Sequence, residues 1–141
     1  MNRSSKSELL ASLPIFRACT AKELKHIEAL VDQVSVKAGH KLTSQGAAGT
    51  EAFVIVSGEA KVEVDDRTVA NVGTGEMVGE MSLLDHTSRR SATVTATTPM
   101  DLLVLDPRSF STMLDAHPTV TRQVAVGLAE RLRTYEASHT A

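Results

Sequence analysis

The spacing of hydrophobic residues near the amino terminus is that of helices. Leu24, Ile27 and Leu30 lie three residues apart and so share one helix face. The residues before them, Thr20-Ala21-Lys22-Glu23, match a capping box, in which the threonine and glutamate side chains satisfy each other's main-chain N–H groups. A shorter helical element precedes this one and is broken near Pro14; its apolar residues are Leu9, Leu10, Leu13 and Phe16. Helices therefore open the chain, after a polar segment, residues 1–7, that we expect to be flexible.

Between residues 31 and 106 the pattern changes to short apolar runs separated by turn residues. Phe53–Val56 and Ala60–Val64 flank Gly58, and Asp65-Asp66 marks the next reversal of the chain. Seven of the eight glycines lie between Gly39 and Gly79, which concentrates the turns in this zone. Further strands are predicted at Thr68–Val72, Ser91–Ala96 and Leu102–Leu105. Short strands at this spacing, without intervening helices, predict an antiparallel β-roll of the jelly-roll class.

The last zone returns to the helical period. Asp106-Pro107 combines a good N-cap with proline at the first helical position, and Pro118 begins a final helix. One apolar stripe runs along that helix through Val120, Val124, Leu128, Leu132 and Tyr135. The predicted fold class is α+β: residues 1–141 form a single domain, with a β-roll over residues 31–106. N-terminal helices precede the roll, and two C-terminal helices follow it within residues 107–137.

The composition of the chain excludes several classes of function but does not indicate a particular one. The chain has 141 residues, 42% hydrophobic and 23% charged, and a formal net charge of −2, so it lacks the basic excess that suits direct nucleic-acid binding. Its densest apolar run, Ala52–Val56, is too short to span a bilayer, and Met1–Ser7 is not followed by the apolar core of a signal peptide. Cys19 is the only cysteine, which excludes an internal disulfide framework. We expect a cytoplasmic location without membrane contact.

Two short segments carry the chemistry that suggests a ligand site: Gly79-Glu80-Met81-Ser82-Leu83-Leu84 and Arg90-Ser91-Ala92-Thr93-Val94. Glycine permits close approach of the main chain, and consecutive N–H groups at the start of a helical turn can hold an anion. A glutamate can accept hydrogen bonds from a sugar hydroxyl, and an arginine can bind phosphate oxygens through two N–H groups. The combination suits a small ligand with hydroxyls and one negative charge.

Two adjacent arginines compete for the phosphate role, and strand parity chooses between them. Ala92, Val94 and Ala96 alternate as the apolar face of a strand. Arg90 shares their parity and is predicted to point inward, whereas Arg89 is predicted to point outward. Arg90 is therefore the candidate residue for binding the anion.

These segments resemble the phosphate-binding cassette of the cyclic-nucleotide-binding domain family, in its catabolite-activator form. The resemblance extends over nearly the whole chain, because the family also has helices, a β-roll and further helices in that order. It implies that Glu80 holds the ribose 2′-hydroxyl and that Arg90 pairs with the cyclic phosphate. Main-chain N–H groups of Met81, Ser82 and the Ser91-Ala92 region would complete the anion site. The sequence departs from the family at Val78, where an aromatic residue is frequent, and at Arg89, where proline is frequent.

The resemblance also suggests residues around the rest of the ligand, each with an ordinary alternative. Val62 and Val72 would line the base or sugar pocket, or simply belong to the core. Arg131 would be a partner for the ligand region, or be solvated; Tyr135 would lie near the base, or cap the core. Ser91 would add a hydroxyl contact, or face water, and it is compatible with both adenine and guanine.

The sequence thus predicts a binding module rather than an enzyme, with cAMP, or else cGMP, as the ligand and with no cofactor. The main alternative is a degenerate β-roll that binds no nucleotide and serves as an interaction scaffold; a structural ion pair between Glu80 and Arg90 would fit it. A metal-dependent cupin enzyme is the third interpretation, but the histidines are scattered at His26, His40, His86, His117 and His139. Because the sequence ends at Ala141, we expect no DNA-binding module. Output would pass through an unknown effector protein, from a monomer or a weak homodimer.

Overall fold

The computed structural model describes residues 6–85 and 89–139. Its helices are α1 (Lys6–Ser12), α2 (Ala21–Glu28), α3 (Met81–Leu84), α4 (Pro107–Ala116) and α5 (Pro118–His139), with a 3₁₀ turn at Pro14–Phe16. Its strands are β1 (Asp32–Val36), β2 (Lys41–Thr43), β3 (Ala52–Ser57), β4 (Ala60–Val64), β5 (Arg67–Val72), β6 (Met77–Val78), β7 (Thr93–Ala96) and β8 (Met100–Leu105). The predicted α+β class is confirmed: helices come before and after an antiparallel roll along the chain.

The amino-terminal helices follow the sequence prediction with one correction. The Thr20 side chain accepts from the Glu23 N–H and the Glu23 carboxylate accepts from the Thr20 N–H, so the capping box of α2 is present. Of the segment predicted to be flexible, residues 1–5 lie outside the described residues, but Lys6 and Ser7 already belong to α1. They are held because the Lys6 ammonium donates to the Val31 carbonyl at 2.9 Å, and the Ser7 hydroxyl donates to a Glu28 carboxylate oxygen.

The roll consists of two four-stranded antiparallel sheets. One has the strand order β1-β8-β3-β6 and the other β2-β7-β4-β5. Phe53 and Ile55 of β3 face the inside of the roll, while Val54 faces the helices. Strand β3 is therefore buried on both faces, which explains why its apolar run shows no alternation.

Two hydrophobic clusters result from this arrangement. The cluster inside the roll joins both sheets through residues that include Ile55, Leu102, Val94 and Ala96. The other lies between the first sheet and the helices, and its members include Phe16, Ile27, Leu103, Phe110, Met113 and Val120. The helices that precede the roll and those that follow it therefore pack on the same face of one sheet.

The carboxyl-terminal helices begin as predicted, since the Asp106 side chain accepts from the Ser109 N–H at 2.7 Å. Helix α5 packs on α4 and on the turn at Pro14–Phe16. Its apolar stripe is buried at Val120 and Val124, but the side chains of residues 129–137 are exposed. The stripe thus contributes to the core only in the first half of the helix. Among the described helices, none has the length and apolar character needed to cross a membrane.

Candidate functional site

The first cassette segment turns sharply between β6 and the single-turn helix α3. Gly79 has φ +82°, a conformation that favours glycine. A Cβ at Gly79 would also lie 2.6 Å from Arg90 Nη1 and 2.9 Å from the Glu51 carbonyl oxygen. Glycine is thus required here both by the turn and by the close approach of the Arg90 side chain.

The guanidinium of Arg90 is held by main-chain carbonyls on both sides. Nη1 donates to the Gly79 carbonyl and Nη2 donates to the Glu51 carbonyl, each at 2.7 Å. Arg90 is only 7% exposed, whereas Arg89 is exposed, so the predicted orientation of the two side chains is confirmed. Burial lowers the pKa of Arg90 from its ordinary value, while the carboxylates of Glu51 and Glu80 act in the opposite direction.

A loop that we call the clasp loop, residues 44–51, lies against Arg90. The Gly46 N–H donates to the Arg90 carbonyl at 2.9 Å, and the Arg90 N–H donates to the Ala47 carbonyl at 2.8 Å. A Cβ at Gly49 would lie 2.2 Å from Ser82 Cβ and 3.3 Å from Arg90 Cζ. The clasp loop therefore contacts both segments of the cassette, at Ser82 and at Arg90. Gly49 allows this contact because it has no side chain.

Sequence reasoning did not assign the clasp loop to the site. The only signal was the pair of glycines, Gly46 and Gly49, which is typical of an ordinary turn. Its proximity to Arg90 depends on pairing between distant segments, which no local pattern reports.

Glu80 is the second buried charge of the cassette. It is 2% exposed; Oε1 accepts from Arg131 Nη1 at 2.6 Å, and Oε2 is buried without a hydrogen-bond partner among the described residues. Burial raises the pKa of Glu80, and the positive charge of Arg131 opposes that rise, with a smaller contribution from Arg90. An unpartnered buried carboxylate oxygen is costly and is the natural position for a ligand donor.

Helix α5 reaches the cassette through Arg131. Its guanidinium contacts Glu80 Oε1 and donates through Nη2 to the Met77 carbonyl oxygen, although its side chain is 41% exposed. The alternative that Arg131 is merely solvated is thus wrong. Tyr135, one turn further along, is 60% exposed and does not cap the core.

The remaining predicted site residues occupy different environments. Ser82 is 6% exposed, and Met81 beside it is 51% exposed. Ser91 is exposed and Ala92 half-buried, and the Ala92 carbonyl accepts from the Thr43 hydroxyl at 3.0 Å. The two predicted pocket residues, Val62 and Val72, both pack in the cluster inside the roll.

Two of the scattered histidines meet in the fold. His26 Nδ1 lies 2.6 Å from His117 Nε2, and His117 Nδ1 lies 3.5 Å from a Glu23 carboxylate oxygen. His86 lies outside the described residues. Within residues 6–85 and 89–139, no group of three or more histidine, cysteine or acidic side chains is arranged to hold a metal ion.

Comparison with known proteins finds one family and several relatives. The Cyclic nucleotide-binding domain family matches residues 33–117. The chain is 43% identical over 91 residues to the Pycsar effector protein PaPycTIR of Pseudomonas aeruginosa, covering 64% of this chain and 30% of that protein. It is 30% identical over 125 residues to the Cyclic AMP receptor protein of Thermus thermophilus, covering 85% of this chain and 57% of that protein.

The structural comparison agrees with the sequence comparison. The crystal structure of the Thermus thermophilus catabolite activator protein superposes with a TM-score of 0.78 at 28% identity, covering 89% of this chain and 61% of that one. The chain therefore spans less than two thirds of the length of each of these relatives.

Proposed function

The chain belongs to the cyclic nucleotide-binding domain family, and from this premise we propose that it binds a cyclic nucleotide between Glu80 and Arg90 and acts as a regulatory module. One observation carries the proposal. The cassette holds a buried carboxylate, one oxygen of which has no hydrogen-bond partner among residues 6–85 and 89–139, and a buried guanidinium fixed by two carbonyls. A ribose hydroxyl and a cyclic phosphate would satisfy this pair of groups.

Arg90 is suited to the phosphate because its orientation is set before the ligand arrives. The two hydrogen bonds to the Gly79 and Glu51 carbonyls fix the guanidinium plane. They use two of the five N–H groups that an arginine side chain carries, so others can donate to phosphate oxygens. A lysine has neither the plane nor the number of fixed donors, and would not replace it.

Glu80 is suited to the ribose because Arg131 holds one of its oxygens. The ion pair at Oε1 favours the charged carboxylate against the cost of burial, leaving Oε2 to accept from a 2′-hydroxyl. The same pair joins the ribose position to helix α5. A ligand that binds Glu80 would therefore change the free energy of the α5 contact, and through it the balance between two arrangements of the carboxyl-terminal helices.

The nucleotide is proposed to be cAMP, with cGMP as the alternative. Similarity to a protein named as a cyclic AMP receptor supports cAMP as the first ligand to test. Ser91 is exposed, and a hydroxyl at this position is compatible with either base. The relatives are longer than this chain, and we propose that the signal passes to an effector, either a separate protein or a further domain.

Calorimetric titration of the purified protein with cAMP, cGMP and the cyclic pyrimidine nucleotides tests the proposal. We expect saturable binding of at least one of them, and weaker binding of the linear 5′-monophosphate. The 2′-deoxy form of the preferred nucleotide should bind at least about tenfold more weakly, because Glu80 Oε2 would lose its donor. Absence of binding by every cyclic nucleotide would overturn the proposal and favour the interaction scaffold.

A further inference from the structure

The β4–β5 hairpin, at the edge of the second sheet, is joined to the clasp loop by two hydrogen bonds of the Gln45 side chain. Gln45 Nε2 donates to Asp65 Oδ1 at 3.0 Å, and the Asp65 N–H donates to Gln45 Oε1 at 2.9 Å. The side-chain amide of Gln45 thus both donates a hydrogen bond to Asp65 and accepts one from it. Gln45 and Asp65 are both exposed, so their polar groups could hydrogen-bond to water instead of to each other.

The hairpin presents Asp65 in an unusual but well-defined conformation. Asp65 and Asp66 have φ values of 51° and 64°, the conformation that a two-residue hairpin turn of type I′ requires at both central positions. Aspartate tolerates this region better than most residues other than glycine and asparagine. The turn therefore directs Asp65 towards Gln45 through a fixed backbone rather than through a mobile loop.

Gln45 is followed directly by the residues that hold Arg90. Gly46 and Ala47 exchange two main-chain hydrogen bonds with Arg90, at 2.9 and 2.8 Å. The Gln45 N–H also donates to the Thr93 hydroxyl at 3.0 Å, three residues after Arg90. Strand β4 in turn pairs with β7 through Glu63 and Thr93, so the hairpin and the Arg90 segment belong to the same sheet.

We propose that Gln45 is a positioning residue for the nucleotide site: clamped by Asp65, it fixes the clasp loop against Arg90 and so sets where the guanidinium meets phosphate. This proposal rests on the proposed function, because its effect on affinity requires a bound nucleotide. Gln45 itself does not contact Arg90 through its side chain. It acts through the main chain of Gly46 and Ala47.

Substitutions at both ends of the clamp test the idea by calorimetric titration. Gln45→Ala should weaken binding of the preferred cyclic nucleotide by about three- to tenfold, the range expected for loss of a neutral hydrogen-bond pair. Asp65→Gly should act in the same direction, because it keeps a backbone that accepts positive φ and removes only the acceptor. Asp65→Asn should bind like the wild type, since it keeps both an oxygen acceptor and tolerance of that conformation. Asp66→Gly is the matched control for changes in the turn and should also leave affinity unchanged.

A double-mutant cycle separates positioning from general weakening of the fold. In an Arg90→Lys background, Gln45→Ala should cause little further loss, because the group that it positions is already gone. A loss of the same size in both backgrounds, or a Gln45→Ala protein that binds as tightly as the wild type, would overturn the proposal.

The proposal can be tested even if no nucleotide binds. Hydrogen exchange of the Arg90 amide in the ligand-free protein should accelerate in Gln45→Ala and Asp65→Gly but not in Asp65→Asn, because that amide donates to Ala47 in the clasp loop. Unchanged protection of the Arg90 amide in all variants would contradict the positioning role. Failure of every cyclic nucleotide to bind the wild type would instead contradict the proposed function alone.

Discussion

Arg90 is charged and buried, yet within the described part of the chain its side chain donates to two neutral carbonyls. An ion pair that only joined loop to strand would place Arg90 on a carboxylate, but Glu80 pairs with Arg131. Glu51 and Glu80 stabilise the charge of Arg90 from a distance, but the direct ion pair of Glu80 is with Arg131. At the scale of single residues, this favours a ligand anion over a structural staple.

The first prediction separates the two neighbouring arginines. Arg90→Lys should weaken cyclic-nucleotide binding by more than about tenfold, because one ammonium cannot keep the two carbonyl bonds and also bind phosphate in a planar, bidentate manner. Arg89→Lys is the control and should bind like the wild type, since that side chain is exposed. Titration calorimetry measures both. Because both substitutions keep the positive charge, equal losses in the two variants would show that the buried guanidinium of Arg90 has no special role, and would contradict its assignment to phosphate.

The second prediction concerns the clasp-loop glycine. Gly49→Ala should weaken nucleotide binding strongly, because a Cβ 2.2 Å from Ser82 Cβ must push α3 away from Arg90. Gly73→Ala is a matched loop variant in which the new Cβ meets nothing closer than 3.7 Å, and it should bind normally. Binding and thermal unfolding should be measured together. Full affinity in a folded Gly49→Ala protein would show that the clasp loop can retreat without moving the cassette.

The third prediction uses the raised pKa of Glu80. Because the folded state holds that proton more tightly than the unfolded state, its stabilising contribution is complete below the ordinary glutamate pKa and is lost as pH rises through the folded value. Glu80→Gln should therefore become progressively more stable relative to the wild type as pH rises above the ordinary glutamate pKa. Urea denaturation at a series of pH values measures the difference. Glu130→Gln, at an exposed position of α5, should show no such trend.

Some residues of the candidate site could be predicted from the sequence, and others could not. Glu80 and Arg90 were predictable because motif and strand parity both concern neighbours along the chain. The burial of Arg90 followed the parity of β7 even though that strand begins only at Thr93. Gly49 was not predictable, because its requirement comes from Ser82, a residue that the fold alone brings beside it.

At the scale of elements, α5 is the helix whose two halves differ most. Its first half packs on α4 and is held by Val120 and Val124, whereas its second half contacts the cassette through Arg131 and leaves Leu132 58% exposed. The five apolar positions indicated one stripe along the helix, but the domain buries only the first part of that stripe. Periodicity reports which residues share a face, but the length of the surface that covers that face is a tertiary property.

The fourth prediction tests this second half of α5. Arg131→Ala should weaken nucleotide binding by about tenfold, because Glu80 would remain buried without a cation; the partial exposure of Arg131 limits the effect. Arg133→Ala, two residues away on the same helix and also exposed, is the control and should bind normally. An Arg131→Ala protein with wild-type affinity would show that α5 does not support the ribose position.

At the scale of the whole molecule, the order of helices, β-roll and further helices was predictable, but the short strands β2 and β6 and most of the strand pairing were not. Turn residues such as Asp65-Asp66 and the N-cap Asp106 mark boundaries within a few residues. Apart from the β4–β5 hairpin, which the Asp65-Asp66 turn marks, the sheet orders β1-β8-β3-β6 and β2-β7-β4-β5 join strands that are distant in sequence, and no turn signal encodes those pairings. The site could not be assembled from the sequence for the same reason. The clasp loop, α3, the Arg90 segment and α5 are separate along the chain and come together only in the fold.

The distance along the chain between the site's partners has a consequence for folding kinetics. Arg90 and Glu51 are 39 residues apart, and Arg131 and Glu80 are 51 apart, so these contacts close long loops and are expected to form late. A nucleotide that needs all of them would recognise the native state but not the transition state that precedes it. Stopped-flow measurements should then show slower unfolding with nucleotide at an unchanged folding rate. Faster folding would mean that the cassette assembles early, leaving the protein able to recruit its ligand before the roll is complete.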